Sequence, residues 1–119
     1  MARSSVTPPA LSIVATLYQS ESTVGEFCRR SAAAALLVAD EYEIVLVNDG
    51  SADGSLNAAR AAQRDNPRIR VVDLSRNFGH HPAMMEGLRH ARGRLIFLID
   101  SDLEDDPAQL GQFAPALQQ

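Results

Sequence analysis

Residues 42–55 read YEIVLVNDGSADGS. The first part is an apolar run rich in branched side chains, and it ends at Asn48 and Asp49, ahead of a turn with two glycines. A run that is apolar on both faces suits a strand of a parallel sheet with helices packed on each side. Gly50 and Gly54 permit positive φ, and Ser55 is expected to cap a following helix. The stretch therefore reads as strand, turn and helix.

The pattern recurs. LSIVATL at 11–17, RIRVVDL at 68–74 and RLIFLID at 94–100 are further apolar runs, so four strands are expected. Segments of helical length lie between them at 21–38, 55–65 and 80–91, and another begins near Pro107. In the first, Val24, Phe27, Cys28, Ala35 and Val38 share one helical face. In the third, Pro82 is expected at the first helical position, with Met84, Leu88 and Ala91 forming an apolar stripe. The order βαβαβαβα implies an α/β fold: a three-layer α/β/α arrangement with a mostly parallel sheet and right-handed crossovers.

Composition narrows the function. The 119 residues suit one small domain, and 45% apolar content is enough for one core. A net charge of -4 argues against a nucleic-acid surface. All 11 bases are Arg, and Lys is absent. Without Lys there is no Gly-Lys-Ser/Thr phosphate loop, and no GxGxxG follows the first strand. A receiver-like phosphoacceptor domain, which needs paired acids after strand 1 and a lysine after its last strand, is excluded on the same grounds. The single Cys28 forbids an internal disulfide or a multi-cysteine metal site. The longest apolar run, at 32–39, is too short to span a bilayer, so no transmembrane segment is expected.

In open parallel sheets, ligands bind beyond the carboxyl ends of the strands. Those ends deliver Thr16, Tyr18 and Gln19; then Asn48, Asp49, Gly50 and Ser51; then Ser75, Arg76 and Asn77; then Asp100 and Asp102. Asp49 either completes a turn or accepts hydrogen bonds from a nucleobase. Five acids crowd into residues 100–106. Asp100 and Asp102 can aim at one cation, and carboxylates suit Mg²⁺ or Mn²⁺. Glu104 is a third candidate ligand, whereas Asp105 and Asp106 suit a helix start before Pro107, and a solvated acidic turn is the plain alternative. Arg76 is placed to meet diphosphate charge or to make a surface ion pair. Adjacent His80 and His81, just before a helix, are assigned to capping or surface roles.

LSIVATLYQSE, VLVNDGSADGS, DLSRNFGHHPAMMEGL and RLIFLIDSDLEDDP, in this order and spacing, resemble the family 2 inverting glycosyltransferases of GT-A fold. The nearest branch is that of dolichol-phosphate mannose synthase and the bacterial polyprenyl-phosphate glycosyltransferases. The resemblance covers about residues 11–110 and implies a sheet order 3-2-1-4. It also implies a UDP- or GDP-sugar donor, with Mg²⁺ or Mn²⁺ bridging its diphosphate. By that resemblance the nucleotide contacts are Thr16, Tyr18, Glu21, Asp49, Arg76, Asp100 and Ser101, and the metal ligands are Asp100, Asp102 and Glu104. The family's Tyr-Asn-Glu is here Tyr18-Gln19-Ser20, so the acidic contact is either absent or shifted to Glu21. Its Asp-Leu-Gln-Asp-Pro-Pro is here Asp102-Leu103-Glu104-Asp105-Asp106-Pro107, which adds negative charge near the metal.

The expected organisation is a flexible leader over 1–10 and a donor-binding domain over 11–119, truncated before the acceptor half that would carry the general base. The acceptor implied is a polyprenyl phosphate at a membrane surface. The expected location is cytoplasmic, with membrane association in a full-length form. A non-catalytic or truncated module that binds a nucleotide sugar is the alternative.

Overall fold

The computed structural model describes residues 9–99. Strand β1 (Leu11–Leu17) is followed by α1 (Val24–Val38), β2 (Tyr42–Asn48), α2 (Ser55–Asp65), β3 (Ile69–Asp73), α3 (His80–His90) and β4 (Leu95–Leu98). The strands form one sheet in the order β3-β2-β1-β4, and all three pairings are parallel. The expected order and alternation are met. The helix expected near Pro107 lies outside the described residues.

The two central strands have no exposed position: every residue of β1 and β2 is buried. On one face, Ile13, Leu17, Ile44 and Leu46 pack against Phe27, Cys28 and Ala35 of α1 and Ala59 of α2. On the other, Val14, Val45 and Val47 meet Ala83 of α3. The sheet therefore lies between two helical layers. Burial pushes the Cys28 thiol up to about 11 against an opposing pull from Arg29, so at neutral pH it is an inert core side chain.

Local details depart from the sequence reading where packing overrides the simplest signal. α3 buries Ala83 and Gly87, whereas Met84, Leu88 and Ala91 are only partly buried. The reason is close approach: a Cβ on Gly87 would stand 2.4 Å from Val14 Cγ1, so the helix lies against β1 through its smallest residues. Pro82 is the third residue of α3, not the first. It is tolerated there because the first-turn N–H groups have no intrahelical partner. Ser55 is the first residue of α2 and does not cap it; Asp53 Oδ1 accepts from the Ser55 N–H at 3.0 Å in that role. β4 is apolar on both faces; Phe97 packs against the core, while Ile96 and Leu98 are 38% and 46% exposed, because among the described residues α3 packs chiefly over β1 and β2.

At the amino end of the sheet, a carboxylate sits inside the second apolar run. Glu43 is 3% exposed. It accepts from Ser12 Oγ at 2.6 Å, from Arg70 at 2.9 Å and from the Arg92 N–H at 2.6 Å. Ser12 Oγ in turn accepts from the Gly93 N–H at 2.7 Å. Burial alone would raise the Glu43 pKa, but these hydrogen bonds outweigh it and hold the group below its ordinary 4.5. One side chain thus ties β1, β2, β3 and the α3–β4 turn together.

Candidate functional site

The opposite, carboxyl end of the sheet is built from three loops that grip one another. β1 ends at Leu17, and the next residues reach across to the loop after β2. Gln19 adopts φ 55 and donates its N–H to Ser51 Oγ at 2.9 Å, while the Ser20 N–H donates to Ser55 Oγ at 2.8 Å. The loop after β2 is stiffened by Asp53, which accepts from Ser51 Oγ at 2.5 Å and from Ser55 Oγ at 2.6 Å. Those hydroxyls lower the Asp53 pKa from 3.8 to about 2. The acid stays charged at the amino end of α2, where the helix dipole favours an anion.

Asp49 is the pivot. It follows β2 immediately and is 3% exposed. Its N–H donates to the Leu17 carbonyl at 2.9 Å, which fixes it beside the end of β1. Its Oδ1 accepts from the Phe78 N–H at 2.9 Å, which draws the loop after β3 over the rim. Gly50, at φ 68, lies directly beneath that loop, since a Cβ there would be 2.2 Å from the Asn77 nitrogen. The loop is held at a second point. Thr16 Oγ1 and His80 Nδ1, 64 residues apart, share a hydrogen bond of 3.2 Å.

Thr16, Asp49 and the Arg76 loop are therefore brought to one rim, as the sequence suggested. Arg76 is exposed and its guanidinium lies 4.7 Å from the centroid of the Phe78 ring. Tyr18 is half exposed beside them. Glu21 is engaged elsewhere, since its Oε1 accepts from the Gly54 N–H at 3.1 Å, at the start of α2. It also borders a groove of about 650 Å³ between α1 and α2, which is lined by Gly25, Ala32 and Ala58 but reaches neither Thr16 nor Asp49. That groove carries Glu26, Arg29 and Asp65 on its walls but lies along the helices and away from the strand ends, where ligands of open parallel sheets bind, so the rim is the candidate site.

Asp100, Ser101, Asp102 and Glu104 lie outside the described residues. The described chain leads straight to them. Val14 of β1 pairs with Leu98, and the Ile99 N–H donates to the Val14 carbonyl at 3.1 Å. β1 is flanked by β2 on one side and β4 on the other, all running the same way. Among the described residues no group of three or more His, Cys, Asp or Glu side chains can hold a metal ion. Also among them, no helix is long and apolar enough to cross a membrane.

His80 is the rim residue that sequence reasoning places at the surface. Its position before a helix points to capping, and nothing local announces a partner on β1.

A model of the family described as Glycosyl transferase family 2 matches residues 12–119. The chain belongs to glycosyl transferase family 2. Among its relatives, a Mycobacterium tuberculosis protein described as putative glycosyltransferases is 56% identical over 103 residues, 87% of this chain and 30% of its own length. An undecaprenyl-phosphate 4-deoxy-4-formamido-L-arabinose transferase of Edwardsiella ictaluri is 38% identical over 110 residues, 92% of this chain and 34% of that protein. Among solved structures, S. aureus TarS in complex with UDP-GlcNAc superposes with a TM-score of 0.72 at 27% identity, over 89% of this chain and 30% of that one. This family 2 chain thus spans about a third of the length of these relatives.

Proposed function

We propose that this family 2 chain is the donor-binding part of a metal-dependent inverting glycosyltransferase, which takes a sugar from a UDP- or GDP-sugar and passes it to a polyprenyl phosphate. The observation that carries the reading is the rim itself: Thr16, Asp49 and the Arg76 loop converge where parallel strands end. The relative named for transfer to undecaprenyl phosphate and the neighbour holding UDP-GlcNAc support the acceptor and donor classes.

In this reading the buried Asp49 carboxylate accepts from the ring N–H or amino group of the base, with Tyr18 alongside. Its Oδ1 is already oriented by the Phe78 N–H, so little side-chain freedom is lost on binding. Arg76 offers its guanidinium to the diphosphate. Asp100, Asp102 and Glu104 are hard oxygen donors that fit Mg²⁺ or Mn²⁺ and not a soft metal, and they would hold the ion. When bound, the ion supplies positive charge to the departing nucleoside diphosphate. A phosphate acceptor is already ionised near neutral pH and needs little help from a base to attack the anomeric carbon.

The expected result in calorimetric titration is binding of UDP or GDP that depends on Mn²⁺ and is lost in Asp102→Ala with the melting temperature unchanged. Binding of neither nucleotide in the presence of metal contradicts the proposal.

A further inference from the structure

The loop between β3 and α3 is pinned to the rim at two points, Phe78 on Asp49 and His80 on Thr16. The first engages a residue of the candidate site through its backbone. The second is a side-chain contact. α3 is already docked by Ala83 and by Gly87, whose Cα lies so close to Val14 that a Cβ would collide with it. Gly79, at φ 102, turns the chain so that the exposed His80 reaches back to the hydroxyl of Thr16, a residue that is 9% exposed. That hydroxyl stands one residue before the end of β1, the strand between the Asp49 strand and the strand leading to Asp100.

A threonine hydroxyl has three staggered settings and a freely turning proton. Sharing a hydrogen bond with a ring nitrogen selects one setting and one direction for the proton or lone pair. On the donor-site reading given above, Thr16 is a nucleotide contact, and the setting of its hydroxyl decides whether that contact forms. We propose that His80 is a positioning residue of the donor site, which acts through Thr16 by fixing its hydroxyl with Nδ1. The adjacent histidines then divide, with His80 serving the crevice and His81 the exposed surface of α3.

The test compares the affinity of the chain for UDP and GDP in Mn²⁺ across substitutions chosen by ring-atom position. His80→Ala should weaken binding by about 5- to 10-fold, the range of one hydrogen bond. Asn places a polar atom near the Nδ1 position and Gln near Nε2, so His80→Asn should restore affinity to within about 2-fold, while His80→Gln should behave like Ala. Thr16→Val should match His80→Ala, and the double variant should bind no more weakly than either, as expected for groups acting as one unit. Melting temperatures should stay within a few degrees of the parent. Unchanged affinity in His80→Ala, losses that multiply in the double variant, or a loss that Asn fails to restore would each overturn the inference and leave the donor-site reading standing. Failure of the parent chain to bind either nucleotide would instead overturn the reading, and the inference with it.

Discussion

Glu43→Leu should lower the stability of the domain by about 3 kcal/mol, the lower end of what removal of one member of a buried ion pair costs, because Arg70 is partly exposed. For a domain of this size that corresponds to a fall in Tm of more than ~10 °C. The substitution roughly keeps volume but strands the Ser12 hydroxyl and the Arg92 N–H and leaves Arg70 with the His90 carbonyl, at 2.7 Å, in place of its carboxylate partner. A second readout follows from titration. The folded Glu43 pKa lies below 4.5, so its contribution is fully present above the ordinary carboxylate range and is lost as pH falls through the folded value. The parent should therefore lose stability below pH 4.5 more steeply than Glu43→Leu. Thermal melts followed by circular dichroism measure both effects. As a control, Arg29→Ala removes an exposed partner of Glu26 on α1 and should leave the melting temperature essentially unchanged.

Gly50→Ala should damage fold and site together. Two effects combine at this position. Its φ of 68 is strained for any residue with a Cβ, and that Cβ would lie 2.2 Å from the Asn77 nitrogen and 2.3 Å from the Arg76 carbonyl carbon. Both neighbours are backbone atoms, so relief requires the whole loop after β3 to lift. A cost of about 2–4 kcal/mol is expected from strain and overpacking combined. Lifting the loop also pulls the Phe78 N–H from Asp49 and His80 from Thr16, so nucleotide affinity should fall by more than about 10-fold at temperatures where the variant is still folded. Gly25→Ala gives the contrast. Among the described residues beyond its own helix backbone, its Cβ would meet the end of the Arg29 side chain at 3.6 Å, an ordinary contact, and it sits in a helix, where Ala is favoured over Gly by up to about 1 kcal/mol. That variant should be at least as stable as the parent.

The fold is legible in the sequence because its signals are local and repeated. Four apolar runs separated by helix-length segments leave few arrangements other than a parallel sheet with covered faces, and the run at 42–48 is indeed buried throughout. The rim is legible for Asp49 and Thr16, because polar residues that end buried strands must collect at one end of such a sheet. What stays hidden depends on distance along the chain. Glu43 lies inside an apolar run, and its partners Ser12, Arg70 and Arg92 are 31, 27 and 49 residues away, which no periodicity reveals. His80 finds Thr16 across 64 residues. Glu21 reads as a ligand contact because an acid follows Tyr18 in the resembling family, and its hydrogen bond from the Gly54 N–H, 33 residues away, is a partner that no local pattern announces. The α3 stripe is met in part: Met84 and Ala91 pack against the core, but the closest helix-to-sheet approach is made by the smallest residues, Ala83 and Gly87, to which hydrophobic periodicity gives little weight.

Donor binding at the carboxyl rim is tested most directly by amide NMR of the chain titrated with UDP or GDP in Mg²⁺. The rim account predicts that the largest shifts fall on Tyr18, Asp49, Gly50, Phe78 and His80 and on the residues following Ile99, with Glu43, Arg70 and Gly93 at the other end of the sheet unmoved. Shifts concentrated around Glu43 and Arg70, or in the groove between α1 and α2 while the rim stays still, would contradict it.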